Sequence, residues 1–381
     1  MKRFFFLTLA MLMASGSIVA QSRNNVDEVV KIDRHAARDY REGEMIVKFK
    51  ETSPVRMKAV GKKLTSGVNK LDQVFNELGI EAGDQLMPLT GAVKVKRATP
   101  LKSITGKTIT DADMTQLYRF KFDAKKMSVH QAVDKLKALE EVEYAEPNYI
   151  VYALSSDNGA LYHHDDHDHY CKEPLYTEQW GHHPLKMPFL WQQPKLSDKR
   201  PVIAILDTGV DIEHPDLKDN IWTNTAELEG AEEEDDDNNG FADDIHGYDF
   251  VNQTARLGDW NGHGTHCAGI AAAVGKNGIG VTGANPDALI MPVTVMQSDG
   301  TGDVATIIKG IDYAAANGAD VISMSIGSYG YSLAEEQALV KAYSKAVLVA
   351  AAGNDGHDMD GHHCNLDAPM FPAAFKFFLG V

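Results

Sequence analysis

The chain's 381 residues, 44% of them apolar, suffice for one domain of about 200 residues and a smaller one beside it. Thirty-seven basic against 54 acidic residues give a net charge of −17. That charge repels nucleic acid and anionic membrane and argues against either as a partner.

In chain order, Lys2 and Arg3 precede an apolar stretch from Phe4 to about Ala14, small residues follow, and Ala20–Gln21 is the expected cut. Residues 1–20 therefore read as a secretory signal peptide, too short to span a membrane stably. No Cys stands at the cut to take a lipid, and no later segment is long and apolar enough to cross a bilayer. The expectation is an exported protein of the periplasm, cell surface or extracellular medium, with no membrane insertion once the signal is removed. Disulfides persist in such places. Cys171, Cys267 and Cys364 allow at most one internal bridge, and their spacing does not choose the pair.

Residues 21–154 predict a small α+β domain. After a polar stretch to about Asp39, Gly43–Lys50 alternates as a strand does. Val68–Ile80 spaces its apolar residues as a helix and stops near a glycine. Residues 116–122 alternate again. Ser128 is expected to cap a helix whose Val129, Ala132, Val133 and Leu136 share one face. Residues 142–154 read as strand, proline break at Pro147 and strand, completing the order β-α-β-α-β. The Lys/Thr/Ser-rich stretch 91–110 reads as a loop. Residues 155–173 form a linker without periodicity. In it His163, His164, His167 and His169 lie among Asp165, Asp166 and Asp168, with Cys171 behind them. The composition fits an exposed hinge, with a transition-metal site as the alternative.

From about Pro201 the pattern changes. Residues 202–206, 288–296, 320–326 and 346–352 are nearly continuous apolar runs rich in Val and Ile, suited to strands buried on both faces of a parallel sheet. Helical stretches, Thr265–Val274, Asp303–Asn317 and Leu333–Lys345, lie between them. This alternation predicts a doubly wound α/β domain over 174–381. In such a sheet working residues collect beyond the C-terminal ends of strands. Asp207 ends one strand. His263 opens a helix, with Gly264 leaving room beside it. Asn354 follows another strand. The two histidines of H-G-T-H are three apart, which is not the H-E-x-x-H spacing of a zinc helix.

The sequence D-T-G at Asp207, then H-G-T-H at His263, then A-A-G-N ending at Asn354, resembles the subtilisin-like serine peptidases, or subtilases. The resemblance runs from about Pro174 to the C-terminus, and the first domain is similar to the propeptide of such enzymes. It implies a doubly wound, mostly parallel α/β sheet, C-terminally incomplete, preceded by a small α+β propeptide domain. It implies a serine-type endopeptidase acting on polypeptide substrates, with its own propeptide as intramolecular inhibitor and chaperone. Asp207 would hold the His263 ring, His263 would act as general base and then acid, and Asn354 would donate to the oxyanion. His266 and Cys267 would pack behind the site, Cys267 as an inert thiol. Gly300, Thr301, Gly302, Ser325, Ile326 and Gly327 match the strands that flank bound peptide, Ser325 as a backbone partner rather than a nucleophile.

Calcium is the expected structural cofactor, and no organic cofactor is expected. The resemblance implies one site from the side chains of Gln179, Asp216 and Asn277 and the carbonyls of Gly275, Ile279 and Val281. Separately, ten acids and no Lys or Arg lie between Glu227 and Asp244. Within that run Asp235, Asp237, Asn239 and Asp244, with the Phe241 carbonyl, place oxygens at alternate positions about a glycine, as calcium loops do. The resemblance also calls for a nucleophilic serine in a G-T-S-x-A turn well after Asn354. Residues 355–381 hold no Ser and no Thr. The sequence thus reads as a precursor truncated before that serine and inactive as it stands. The alternatives are a non-catalytic calcium-binding protein with a peptide groove and, from residues 163–171, a histidine-rich metal-binding protein.

Overall fold

The computed structural model describes residues 40–52, 55–60, 63–93, 108, 113–154, 173–195, 197–354 and 369–380. The signal segment 1–20, the histidine-rich stretch 155–172 and most of 91–110 lie outside the described residues.

The first unit contains strand β1 (Tyr40–Phe49), a short hairpin of β2 (Lys58–Val60) and β3 (Lys63–Thr65), helix α1 (Asn69–Leu78), β4 (Gly83–Gln85), β5 (Leu117–Lys121), helix α2 (Val129–Lys137) and β6 (Val142–Ala153). The expected β-α-β-α-β order therefore gains the hairpin and β4. Helix α1 stops because Gly79 turns left-handed at φ 75°. Helix α2 starts at a capping box in which Ser128 and Gln131 answer each other's backbone. The sheet β6–β1–β5–β4 is antiparallel. One face, with Met45, Val47, Phe49 and Phe120, packs on Leu71, Phe75 and Leu78 of α1 and on Val129, Val133 and Leu136 of α2. The alternate residues Ile46 and Leu117 join the core of the second unit instead.

Pro147 does not break β6, contrary to the sequence reading. It lies opposite Met45, beside a shift of register between Tyr40 and Met45. The ladder is already irregular there, and a missing N–H is tolerated.

The second unit contains α3 (Met187–Trp191), β7 (Val202–Asp207), α4 (Thr225–Glu229), β8 (Tyr248–Asp249), α5 (His263–Ala272), β9 (Leu289–Thr294), β10 (Thr301–Asp303), α6 (Val304–Ala316), β11 (Val321–Met324), β12 (Ile326–Gly327), α7 (Leu333–Ala342), β13 (Val347–Ala350) and β14 (Leu379–Gly380). Its sheet runs β14–β13–β11–β7–β9–β8, and every pair in it is parallel. Both faces are covered, which explains the unbroken apolar runs. Ile203, Ile205, Ile290 and Val349 meet Cys267, Ala268, Ala271 and Ala272 of α5. Ala204, Leu206, Met291, Val293 and Leu348 meet Ile307, Ile308 and Ile311 of α6 and Leu339 of α7. The run 320–326, read as one strand, divides at Ser325: β11 stays in the sheet and β12 leaves it to pair with β6.

Beta strand β6 carries the first unit onto the second. Its end runs antiparallel to β10, with Ile150, Val151 and Tyr152 opposite Asp303, Gly302 and Thr301. On its other side Tyr152 and Ala153 face Gly327 and Ile326 of β12. Polar contacts reinforce the docking. Glu146 accepts from Ser332 Oγ at 2.6 Å and from the backbone N–H of Leu333 and Ala334 at 3.2 Å, at the start of α7. Asn148 Oδ1 accepts from the Ala305 N–H at 3.0 Å, at the start of α6. Asp312 of α6 accepts from the N–H of Leu89 at 2.8 Å and of Thr90 at 2.7 Å, and from the Thr90 hydroxyl. Helix starts have N–H groups without internal partners, so a polar chain laid across two of them satisfies donors that would otherwise need water.

Candidate active site

Asp207 ends β7 with its side chain 1% exposed. His263 opens α5, and its Nδ1 lies 2.6 Å from Asp207 Oδ1. Two glycines permit the approach. A Cβ on Gly264 would stand 2.0 Å from the Gly209 carbonyl oxygen and 3.0 Å from Asp207 Cβ. Gly209 itself has φ 122°, and a Cβ there would meet the Gly258 carbonyl oxygen at 2.1 Å.

Asp259, just ahead of α5, fixes the helix start. Its carboxylate accepts from the N–H of Asn261, Gly262 and Thr265 at 3.1, 2.9 and 2.9 Å and from the Thr265 hydroxyl at 2.7 Å. Burial pushes Asp259 upward, but the Thr265 and Gly262 hydrogen bonds outweigh it and hold the carboxyl below its ordinary value. The Thr208 hydroxyl donates to Asp259 at 2.9 Å and accepts from the Gly264 N–H at 3.0 Å, tying the Asp207 turn to the His263 helix. Sequence reasoning missed Thr208 and Asp259. The signal was present as an acid within one turn ahead of an expected helix.

Both ring nitrogens of His263 face oxygen: Asp207 at Nδ1 and the Leu154 carbonyl at Nε2, 3.1 Å away. Carbonyl and carboxylate oxygens only accept, so both nitrogens must donate, and the ring in this arrangement is the cation. Burial opposes the charge, but the Asp207 hydrogen bond and charge overcome it, and the pKa of His263 is raised. Asp207 Oδ2 is buried with no hydrogen-bond partner, which leaves the imidazolium as the carboxylate's main compensation. Cys267 Sγ lies 3.9 and 4.0 Å from the two ring nitrogens. Burial drives its thiol pKa up, so it is a neutral packing group and not a nucleophile. Cys171 and Cys364 lie outside the described residues.

The groove residues named from the sequence all border the end of β6. Leu154 N–H donates to the Ser325 carbonyl at 2.9 Å, and Ala153 N–H to the Gly300 carbonyl at 2.8 Å. Thr301, Gly302, Ile326 and Gly327 pair with Tyr152, Val151, Ala153 and Tyr152. The Leu154 side chain lies against Gly327 next to Met370: a Cβ on Gly327 would stand 2.8 Å from Leu154 Cδ1 and 2.6 Å from Met370 Sδ. Asn354 follows β13 at the C-terminal edge where β7 ends in Asp207, just after Gly353 at φ 108°.

The residues named for calcium separate into two places. Asp216, 2% exposed, accepts from Asn277 Nδ2 at 2.8 Å and the Val281 N–H at 2.9 Å. Asn277 Oδ1 accepts from the Ile279 N–H at 2.8 Å. Gln179 stands one residue further on, exchanging hydrogen bonds with the Thr282 backbone at 2.9 Å. In the acidic loop, oxygens of Glu227, Asp237 and Asp244 lie within 4.8 Å of one another. Asn239 Nδ2 donates to Asp237 and Asp244 at 3.0 Å, whereas Asp235 turns to the Asn239 and Gly240 N–H groups. Glu227 was not singled out from the sequence. It begins the acidic run, but charge alone does not tell which of ten acids turns inward.

A family model described as the subtilase family matches residues 198–381, and one described as the fervidolysin N-terminal prodomain matches residues 93–148. The likeness to the subtilase family thus lies in residues 198–381. Among curated relatives, a thermophilic serine proteinase of Bacillus sp. (strain AK1) is 34% identical over 265 residues, 68% of this chain and 56% of that protein. Thermitase of Thermoactinomyces vulgaris is 35% identical over 206 residues, 54% of this chain and 62% of thermitase. The crystal structure of fervidolysin from Fervidobacterium pennivorans, a keratinolytic enzyme related to subtilisin, shares the fold. Its TM-score is 0.55 at 23% identity, over 88% of this chain and 42% of that one. The chain thus spans less than two thirds of each of these relatives.

Proposed function

We propose that the chain is the precursor of an exported subtilisin-like serine endopeptidase, with residues 40–154 as a propeptide domain lying in its own substrate groove. The observation that carries this reading is the Leu154 carbonyl, which accepts from His263 Nε2 at 3.1 Å while its N–H is held by Ser325. A peptide in that position presents the Leu154–Ser155 bond for attack.

The chemistry follows from the geometry. Asp207 keeps Nδ1 protonated and stabilises the imidazolium; neutral His263 takes the proton of a serine hydroxyl through Nε2 and passes it to the leaving amine. Asn354 donates to the oxyanion, an interaction worth on the order of 10²–10³ in rate where measured in subtilisin. The serine is not among residues 355–381. The apolar surroundings of Leu154, Gly327 and Met370, suit a medium-sized apolar side chain before the cleaved bond. Export rests on residues 1–20; among the described residues no helix is long and apolar enough to cross a membrane.

Calcium fits both acidic places. The donors are hard oxygens, Asp216 is buried with no cation beside it among the described residues, and Glu227, Asp237 and Asp244 crowd three carboxylates together. A bound calcium ion would supply the missing positive charge. Gln179, Asp216, Asn277 and the Ile279 and Val281 carbonyls would hold one ion, and Asp237, Asn239 and Asp244, joined by Glu227, the other.

The test is casein hydrolysis, and cleavage of a peptide library, by this chain and by the reading frame continued past codon 381. Activity in the continued protein that vanishes in His263→Ala, with cuts after Leu or Met, supports the proposal. A continued frame without a G-T-S-x-A serine, and without hydrolysis, replaces it with a peptide-binding groove.

A further inference from the structure

Docking of the first unit buries acids as well as apolar surface. Glu335, in the first turn of α7, is 2% exposed, and its Oε1 is buried with no hydrogen-bond partner. The stretch Ser332-Leu-Ala-Glu335 has the spacing of a capping box, in which the serine hydroxyl takes the Glu N–H and the Glu carboxylate reaches back to the serine N–H. The first half is present: the Glu335 N–H donates to Ser332 Oγ at 3.1 Å. Around it, however, Glu146 of β6 holds the Ser332 hydroxyl and the N–H groups of Leu333 and Ala334. Two acids from two units compete for one helix start, and the visiting acid has its donors.

Among the described residues no cation acts on Glu335. The charge felt at Glu335 is that of Glu146; Glu146 in turn feels Lys137 of α2. Nearby, the Tyr331 hydroxyl donates to Glu336 at 2.7 Å and the Tyr144 hydroxyl to Gln337 at 2.8 Å. A buried carboxyl with an unpartnered oxygen, beside a second acid, is far cheaper to keep neutral than ionised.

We propose that Glu335 is a proton-operated latch: protonated, it lets Glu146 hold the first unit on α7; ionised, it reclaims the helix start and drives that unit off. This rests on the reading of residues 40–154 as a detachable propeptide domain, and it holds whether or not the site hydrolyses peptides. The sign is fixed by linkage. Burial first, then the Glu146 charge, push Glu335 up to about 8 from an ordinary 4.5, and burial raises Glu146 as well. The docked state therefore binds the extra proton. Docking is strongest below pH 4.5, weakens by up to tenfold per pH unit above it, and levels off beyond about pH 8.

The test is hydrogen–deuterium exchange on the full chain between pH 5 and 9, corrected for the intrinsic rise of exchange with pH. Wild type is expected to lose protection in Val142–Ala153 and Thr301–Asp303 by at least tenfold between pH 6 and 9. Glu335→Gln, which cannot ionise, is expected to keep its pH 6 protection throughout. Glu335→Leu makes the same prediction should the amide disturb folding, with circular dichroism checking the fold of each. Corrected wild-type protection that does not change with pH, or variants that lose it as wild type does, would overturn the latch. The readout is exchange and not hydrolysis, so its failure leaves the casein assay to judge the catalytic reading separately.

Discussion

His263 holds two acceptors at once, and its charge state follows from them. With Asp207 at 2.6 Å its folded pKa lies above the ordinary 6.5. The ion pair's stabilisation is therefore complete below pH 6.5 and lost as pH rises through the folded value. In Asp207→Asn the Asp207 hydrogen bond and charge are lost, burial still opposes the cation and only the Cys267 contact still favours it, so the His263 pKa is expected to fall. Nitrogen-15 NMR of labelled histidine reads this directly; a pKa unchanged from wild type in the variant would disprove the pairing. The two residues were legible in the sequence because glycines mark them: Gly209 and Gly264 are where backbone, not side chain, must fill the space. Asp312 and Glu335 were not legible. Each sits on a helix whose neighbouring unit supplies the burial, and periodicity within one helix cannot reveal a partner more than 180 residues away.

At the scale of elements, helix starts carry the docking. Asn148, fully buried, accepts from the Ala305 N–H on α6 and donates to Glu44 at 2.8 Å and Asp303 at 3.1 Å. Asn148→Ala leaves the Ala305 N–H buried without an acceptor, at a cost of about 1–3 kcal/mol. Asn148→Asp keeps the acceptor but sets a buried carboxylate against Glu44 and Asp303, and is expected to recover none of that loss. Urea unfolding of the full chain measures both; equal stability of the alanine variant and wild type would show that this contact does not support docking. The strands of the parallel sheet were legible because each is buried on two faces and so is apolar throughout. The division of 320–326 at Ser325 was not, because it is imposed from outside: the Ser325 carbonyl takes the Leu154 N–H, and β12 pairs with β6 rather than with the sheet. Pro147 misled for the same reason, since the sequence shows the proline and not the irregular ladder beside it.

At the scale of the molecule, negative charge is the dominant electrostatic fact. The chain carries −17, and its acidic loop brings Glu227, Asp237 and Asp244 within 4.8 Å of one another. Like charges so close destabilise the fold unless a cation answers them. An ion bound only by the folded state stabilises it by about 2.7 kcal/mol at a hundred times its dissociation constant. For a domain of this size that is a shift of about 5–10 °C in melting temperature. Removing calcium with EGTA at pH 7 is expected to lower the melting temperature by that amount, and restoring calcium to reverse it. Magnesium, which holds its waters and demands a smaller, rigid cage, is expected to restore much less. Asn277→Ala and Glu227→Gln are each expected to remove part of the calcium response, since they touch different sites. General screening is the competing account, because any salt softens repulsion among exposed acids. Sodium chloride at equal ionic strength separates the two. If it restores the melting temperature as fully as calcium does, the acids are merely solvated and neither oxygen cluster is a site.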